Sequence, residues 1–384
     1  MMQSFIKILI VVFIMLSFRH NSYSQPEKVL ITYKKEGENW IFYATNTTIV
    51  PYYVKLQFKE LDNLKPDKDL ESYTPTIPGS AKNLKILTLS PIAADKSRNF
   101  NFNYIYTIGE PEKSPDLSHP YWLPYRHGKR ASIAQGNLGD GTHRGINAID
   151  FNLKVGDTVF ASRAGLVYDV KEDSDKGGNS MKFEQFGNYI SVYHSDGTTA
   201  KYVHLMKNGA FPKIGDAIEA GEAIGLSGNT GYSSGPHLHF VVAHNDNFVS
   251  KTLPAKFLNY KEALFIPIEG KSYYAYHPGN AAFEVIDEEN FDESKFEKQL
   301  TASTLTNDLQ IESEAYGDYT LLYINNGYEK TLSGKLTINK INMDATKTLP
   351  YSFTVSGKSK QYLLALKPKD LTKKYSYDLS VQIR

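Results

Sequence analysis

Five residues in the middle of this chain have types and an order that could do metal chemistry: His143, Asp150, His204, His237 and His239. His237 and His239 stand one residue apart in Gly235-Pro236-His237-Leu238-His239-Phe240, a run that reads as a strand. Side chains alternate across a strand, so both imidazoles fall on one face. Two imidazoles so placed can bind a metal, or one can bind while the other does acid–base work. Asp150 lies between Ile149 and Phe151, in a stretch that otherwise reads as buried. A buried carboxylate is costly unless it is paired or coordinates a metal. His204 sits in Ala200-Lys201-Tyr202-Val203-His204-Leu205, which reads as another strand. Alone it would suit a core histidine bonded to backbone. A catalytic zinc takes three protein ligands and leaves a position for water. Three of the five residues can fill that need, and two histidines remain for proton transfer.

The elements that must position these groups lie within residues 118–272, which hold eight of the ten histidines. An internal echo is visible there. Val155-Gly156-Asp157-Thr158-Val159-Phe160-Ala161 is matched by Ile214-Gly215-Asp216-Ala217-Ile218-Glu219-Ala220, and each is followed by a Gly-led run, Gly165-Leu166-Val167 and Gly225-Leu226-Ser227. A duplicated hairpin unit packed on itself is the simplest account. The loop Gly228–Gly235 is polar and Gly-rich, and is expected to stay out of the core as a groove wall. The polar connection Lys171–Phe186 reads as another rim loop. Gln135 or Asn137 is expected near the mouth of the site.

The motifs and their order resemble the lysostaphin/LytM-type zinc metallopeptidases, which cut peptide bonds in bacterial peptidoglycan. The residues carrying the likeness are His143 and Asp150, then Tyr202-Val203-His204-Leu205, then Gly225-Leu226-Ser227-Gly228-Asn229-Thr230-Gly231 running into Ser234-Gly235-Pro236-His237-Leu238-His239. The resemblance implies a central β-rich domain of duplicated hybrid motif, with His143, Asp150 and His239 as Zn2+ ligands and His204 and His237 as the catalytic pair. Six residues, Arg144 to Ile149, separate the first histidine from the aspartate, more than is common in the family. Asn147 stands at the usual spacing, and its neutral amide is a poor zinc ligand, so Asp150 is kept as the ligand. A catalytically silent relative that docks on the wall and activates another hydrolase is the alternative. Such relatives usually lose zinc ligands, and this chain keeps all five positions.

The chain has 384 residues, enough for two or three domains. Residues 25–112 and 283–384 read as short strands between turn clusters, the first as a β-sandwich and the second as an acidic linker followed by another. The fold class is therefore mainly β, a peptidase domain flanked by two sandwich-like domains. The flanks serve docking or spacing, and they offer a surface for a wall-associated protein partner. A formal charge of +1 gives no basic footprint, so nucleic acid is not an expected partner. There is no cysteine, so any zinc site must use His and carboxylate ligands. At the N-terminus, Lys7, the apolar run Ile8–Leu16 and Ser22-Tyr23-Ser24 read as a signal peptide over residues 1–24. The apolar run is short of the ~20 residues a membrane span needs. An exported protein, periplasmic or secreted, is expected.

Overall fold

The computed structural model describes residues 27–283, 285, 291–297, 300–370 and 373–383. The leader assigned to residues 1–24 lies outside them. The chain is mostly β, as its aromatic and β-branched residues predict.

The site is carried by the central sheet. Its order is Ala217–Ile218, Gly165–Lys171, Tyr189–Tyr193, Thr199–Val203, Leu238–Asp246, Ala148–Phe151, Arg130–Gln135 and Ser272–Tyr274, with Val249–Leu253 also paired to Leu238–Asp246. Alternation along the middle strands decides which side is core. Ile190, Val192, Ala200, Tyr202, Phe240 and Val242 all point one way and are buried together. The pairs Tyr189↔Val203, Ser191↔Lys201, Val203↔His239, Lys201↔Val241 and Asp150↔His239 put the intervening residues on the opposite face. That second face carries the chemistry.

The internal echo is structural. The strand Thr158–Phe160 from the first copy pairs with Ala223–Ser227, which follows the second copy. The strand Ala217–Ile218 from the second copy pairs with Gly165–Lys171, which follows the first. The turns match atom for atom. The Asp157 carboxylate accepts from the Lys154 N–H at 2.7 Å, and Asp216 accepts from the Lys213 N–H at 2.8 Å. Gly156 and Gly215 both take positive φ, 87° and 104°, which a glycine adopts without steric cost. Their N–H groups reach across reciprocally, to Ser227 O and Val167 O, each at 2.8 Å.

His194 follows the strand Tyr189–Tyr193 and is fully buried. Its Nδ1 must donate to the Ala164 carbonyl at 2.8 Å, because a carbonyl only accepts. Burial pushes its pKa down to about 4 from the ordinary 6.5. The folded protein therefore keeps His194 neutral where the unfolded chain would protonate it. Its contribution is complete above pH 6.5 and is lost as pH falls from there toward 4, a loss on the order of 3 kcal/mol. Thermal melts across this window should show Tm falling with pH, and His194→Gln should flatten that fall. An equal fall in the variant would assign the acid sensitivity elsewhere, for instance to His277, which burial also depresses.

The sheets on either side of the centre share one plan. Counted along residues 29–108, the seven strands lie in the order 1-2-6-4 in one sheet and 5-3-7 in the other, around a single core. The seven strands of residues 309–383 repeat that order, with Leu300–Ala302 added to the sixth strand. The likeness extends to irregularities. The second and sixth strands slip register after Phe42 in one copy and after Leu322 in the other. Gly37 and Gly317 turn the first hairpin at φ 60° and 61°. Asn46 donates to Val50 O and accepts from Thr48 N–H, while Asn326 donates to Lys330 O and accepts from Tyr328 N–H. Asn63 and Asn342, both at φ 53°, cap the third strand and donate to Ala93 O and Asp370 O.

The acidic segment, expected as a linker, contains the helix Ser294–Glu297. It is not merely a surface element, because Phe296 is buried against Leu321, Tyr323 and Tyr362. Much of the rest of the segment lies outside the described residues.

Candidate metal centre

Strand pairing brings Asp150 beside His239, and the loop before residue 148 brings His143 over both. The His143 Nδ1 donates to the Gly136 carbonyl at 2.9 Å, which leaves Nε2 as a lone-pair donor to a metal. That Nε2 is 3.3 Å from His239 Nδ1 and 3.3 Å from Asp150 Oδ1, and the last two atoms are 2.9 Å apart. The three donor atoms form a nearly regular triangle, a group that could hold a metal ion. Asp150 is buried. Desolvation alone would raise its pKa, but its close contacts with His143 and His239 and the charge of His239 and His237 hold it well below the usual carboxylate range. The Gln135 amide lies 3.3 Å from the other carboxylate oxygen, Oδ2, and 2.8 Å from the Thr142 hydroxyl, so Gln135 does stand at the site. Asn137, the other candidate, has a buried amide nitrogen with no partner among the described residues.

His237 and His239 share a face, as the spacing predicts. His237 Nε2 lies 3.7 Å from Asp150 Oδ1, while its Nδ1 is fixed by the Gly235 carbonyl at 2.8 Å. His204 Nδ1 donates to the Thr230 carbonyl at 2.7 Å, so its Nε2 is also left unbonded. The two rings are 4.5 Å apart at their centroids. Burial, reinforced by the charge of His237, pushes the His204 pKa down to about 4, which keeps that imidazole neutral.

Two expectations are corrected. His204 is not inside a strand. It is the break between Thr199–Val203 and Leu205–Ala210, at φ 68° in the left-handed region. Such a conformation is uncommon for a residue with a Cβ and is sustained by its surroundings. The loop Gly228–Gly235 is not kept outside by its polarity, because Gly228, Thr230, Gly231 and Ser233 are buried. Its polar atoms are satisfied internally. Thr230 Oγ1 receives the Asn188 N–H at 3.0 Å and donates to Leu205 O at 2.8 Å, and the Asn188 side chain ties Ser174 to Leu205. Asn188 and Thr230 thus hold the turn on which His204 stands. Asn188 was missed in the sequence, because an asparagine beginning a strand carries no signal of its buried partners.

The long gap between His143 and Asp150 is absorbed by a turn. Ile146 N–H bonds back to His143 O, with Gly145 at φ 74°. Asn147, at the shorter spacing, is engaged elsewhere: its backbone and side-chain amides donate to Thr252 at 2.7 and 3.0 Å. The connection Lys171–Phe186 pairs Gly177–Gly178 with Gly231–Tyr232 and then forms a short 3-10 helix, Met181–Phe186.

Residues 143–251 match Peptidase family M23. The chain carries an M23 peptidase domain. Lysostaphin of Staphylococcus staphylolyticus is 38% identical over 104 residues, which cover 27% of this chain and 19% of that protein. The peptidoglycan DD-endopeptidase ShyA of Vibrio cholerae is 34% identical over 94 residues, covering 24% of this chain and 19% of that protein. The solved catalytic domain of lysostaphin from Staphylococcus simulans aligns with 31% of this chain and 79% of its own, at 32% identity and a TM-score of 0.22. The chain spans about a fifth of the length of the curated relatives it matches. All five residues singled out in the sequence lie within the M23 match.

Proposed function

We propose that this protein is an exported zinc metalloendopeptidase that hydrolyses peptide bonds in bacterial peptidoglycan. The observation that carries this reading is the donor triangle of His143, Asp150 and His239 beside the unbonded Nε2 atoms of His204 and His237. Tetrahedral zinc with bonds of 2.0–2.1 Å keeps its ligand atoms about 3.3 Å apart, and the triangle's edges are 2.9–3.3 Å. Two imidazoles and one carboxylate make a familiar catalytic zinc set, with a fourth position for water.

Zinc held there would polarise the scissile carbonyl and lower the pKa of a water toward ~7. The remaining work falls to the chain itself. His204, neutral and anchored through Nδ1, presents Nε2 to accept the attacking water's proton. His237, beside the carboxylate, presents Nε2 to the oxyanion when protonated. Gln135 steadies Asp150 from the other carboxylate oxygen. Residues 1–24 support export, and the names of the related lysostaphin and DD-endopeptidase support a wall-peptide substrate. The flanking regions, 25–112 and 283–384, are assigned to docking on the wall or on a wall-associated protein.

The test is digestion of purified peptidoglycan of defined cross-link type by the zinc-loaded protein, with mass analysis of the products. New peptide termini that vanish with chelator are expected. Intact cross-links and stems across several wall types would refute the proposal.

A further inference from the structure

The sheet face that carries the metal centre continues past it. Asp150, His239, Val203 and Tyr189 form one row across the strands, and the next row holds Val241, Lys201 and Ser191. The rows are one pleat repeat apart, about 7 Å. The row after that contains Thr199 and Tyr193, and Tyr193 is buried in the core of the N-terminal sheets. The floor beyond the metal centre is therefore short. It has the apolar residues Val203 and Val241 and a closed end; the first row runs on to Lys171, which is paired with Asp173, the second runs on to Asp169, and one further cation has no ion pair among the described residues.

The cation is Lys201. Among the described residues Lys201 forms no ion pair, and Asp169 and Glu184 act on it only at longer range. What distinguishes Lys201 is that it is half-buried and held. Its ammonium sits 3.7 Å from the centre of the Tyr189 ring, and that ring is fixed by a bond from its hydroxyl to Asp169 at 3.1 Å. Burial lowers the Lys201 pKa against the opposing pull of Asp169 and Glu184, and Lys28 of the N-terminal sheets adds like charge. An ammonium in this setting has lost water without gaining a full counter-charge, so an incoming carboxylate would be bound more strongly than at an exposed lysine.

We propose that Lys201 recognises a free carboxylate of the peptide substrate, one or two residues from the scissile bond. The position follows from the row spacing, since an extended chain covers about 3.3 Å per residue. The closed end at Tyr193 suits a carboxylate close to a chain terminus. This proposal rests on the peptidase reading and names the substrate feature that this sheet face selects.

The test uses two cross-linked peptides that differ only in that carboxylate, free in one and amidated in the other, with the zinc-loaded full chain. The wild type should favour the acid about tenfold or more, through KM rather than kcat. Lys201→Met should lose the preference by raising KM for the acid alone, and Lys201→Arg should keep most of it. Zinc content and thermal melts establish that each variant is folded and loaded. Equal preference in Lys201→Met and wild type, or none in the wild type, overturns the proposal. If the wild type cuts neither peptide, the wall digestion decides the peptidase reading, and calorimetric titration of the same two peptides decides the question for Lys201. Selective binding of the acid that Lys201→Met abolishes supports it, while equal or absent binding overturns it.

Discussion

Replacing His239 by alanine is expected to remove bound metal and peptide hydrolysis together. His239 supplies one corner of the donor triangle and the 2.9 Å contact to Asp150. Without it, two donors remain for an ion that needs three from the protein to be held at a catalytic site. The Lewis-acid contribution lost with the metal is worth several kcal/mol, so turnover should fall by ~10³-fold or more. The fold should survive, because the His239 side chain is partly exposed on the open face, whereas its neighbours Leu238 and Phe240 make the core contacts. Elemental analysis of dialysed protein and a peptidoglycan digestion read the two effects separately. A His239→Ala variant that stays metal-loaded and active would remove His239 from the ligand set.

How much of this was legible beforehand depends on what each position demands. The order of the five site residues was readable because their side-chain types are chemically irreplaceable. The central echo was readable because its turns use a glycine at positive φ and an aspartate that caps a lysine N–H, and few other residues can do either. The kinship of the two flanking units was hidden for the opposite reason. Their strands pack apolar cores, where the position of Val54 in one unit is filled by Gly334 in the other and that of Leu64 by Met343 without changing the plan. What persists includes positions with a backbone requirement: Gly37 and Gly317, Asn46 and Asn326, Asn63 and Asn342. Each is an isolated residue, so no contiguous motif announced the repeat.

The polar loop at residues 228–235 misled for a related reason. Composition tells how polar a segment is, but not whether its polar atoms find partners inside. Asn188 and Thr230 meet across 42 residues of sequence, and only the fold brings them together. The same holds for His204. Its strand-like neighbours were correctly read, but its left-handed conformation is imposed by the Thr230 carbonyl and by Gly231. A Cβ at Gly231 would press to 2.6 Å against Gly187.

That conformation shapes the second large effect, the removal of the His204 imidazole. His204→Ala is expected to keep the metal and lose most hydrolysis, by about 10²–10⁴-fold, the range for deleting a positioned general acid or base. Metal should stay because the His204 ring is 5.9 Å from that of His239 and supplies no corner of the donor triangle. Alanine, however, inherits φ near 68° with no carbonyl contact to sustain it, so a loss of activity alone could reflect a sprung turn. His204→Asn separates the two causes, because asparagine tolerates the left-handed region and can still donate to Thr230 O, yet it cannot act as a base. Both variants inactive, both zinc-loaded and the asparagine form close to wild-type Tm would place the proton transfer on the imidazole. An active His204→Asn would reduce His204 to a structural residue, and metal loss in both would move it into the ligand set.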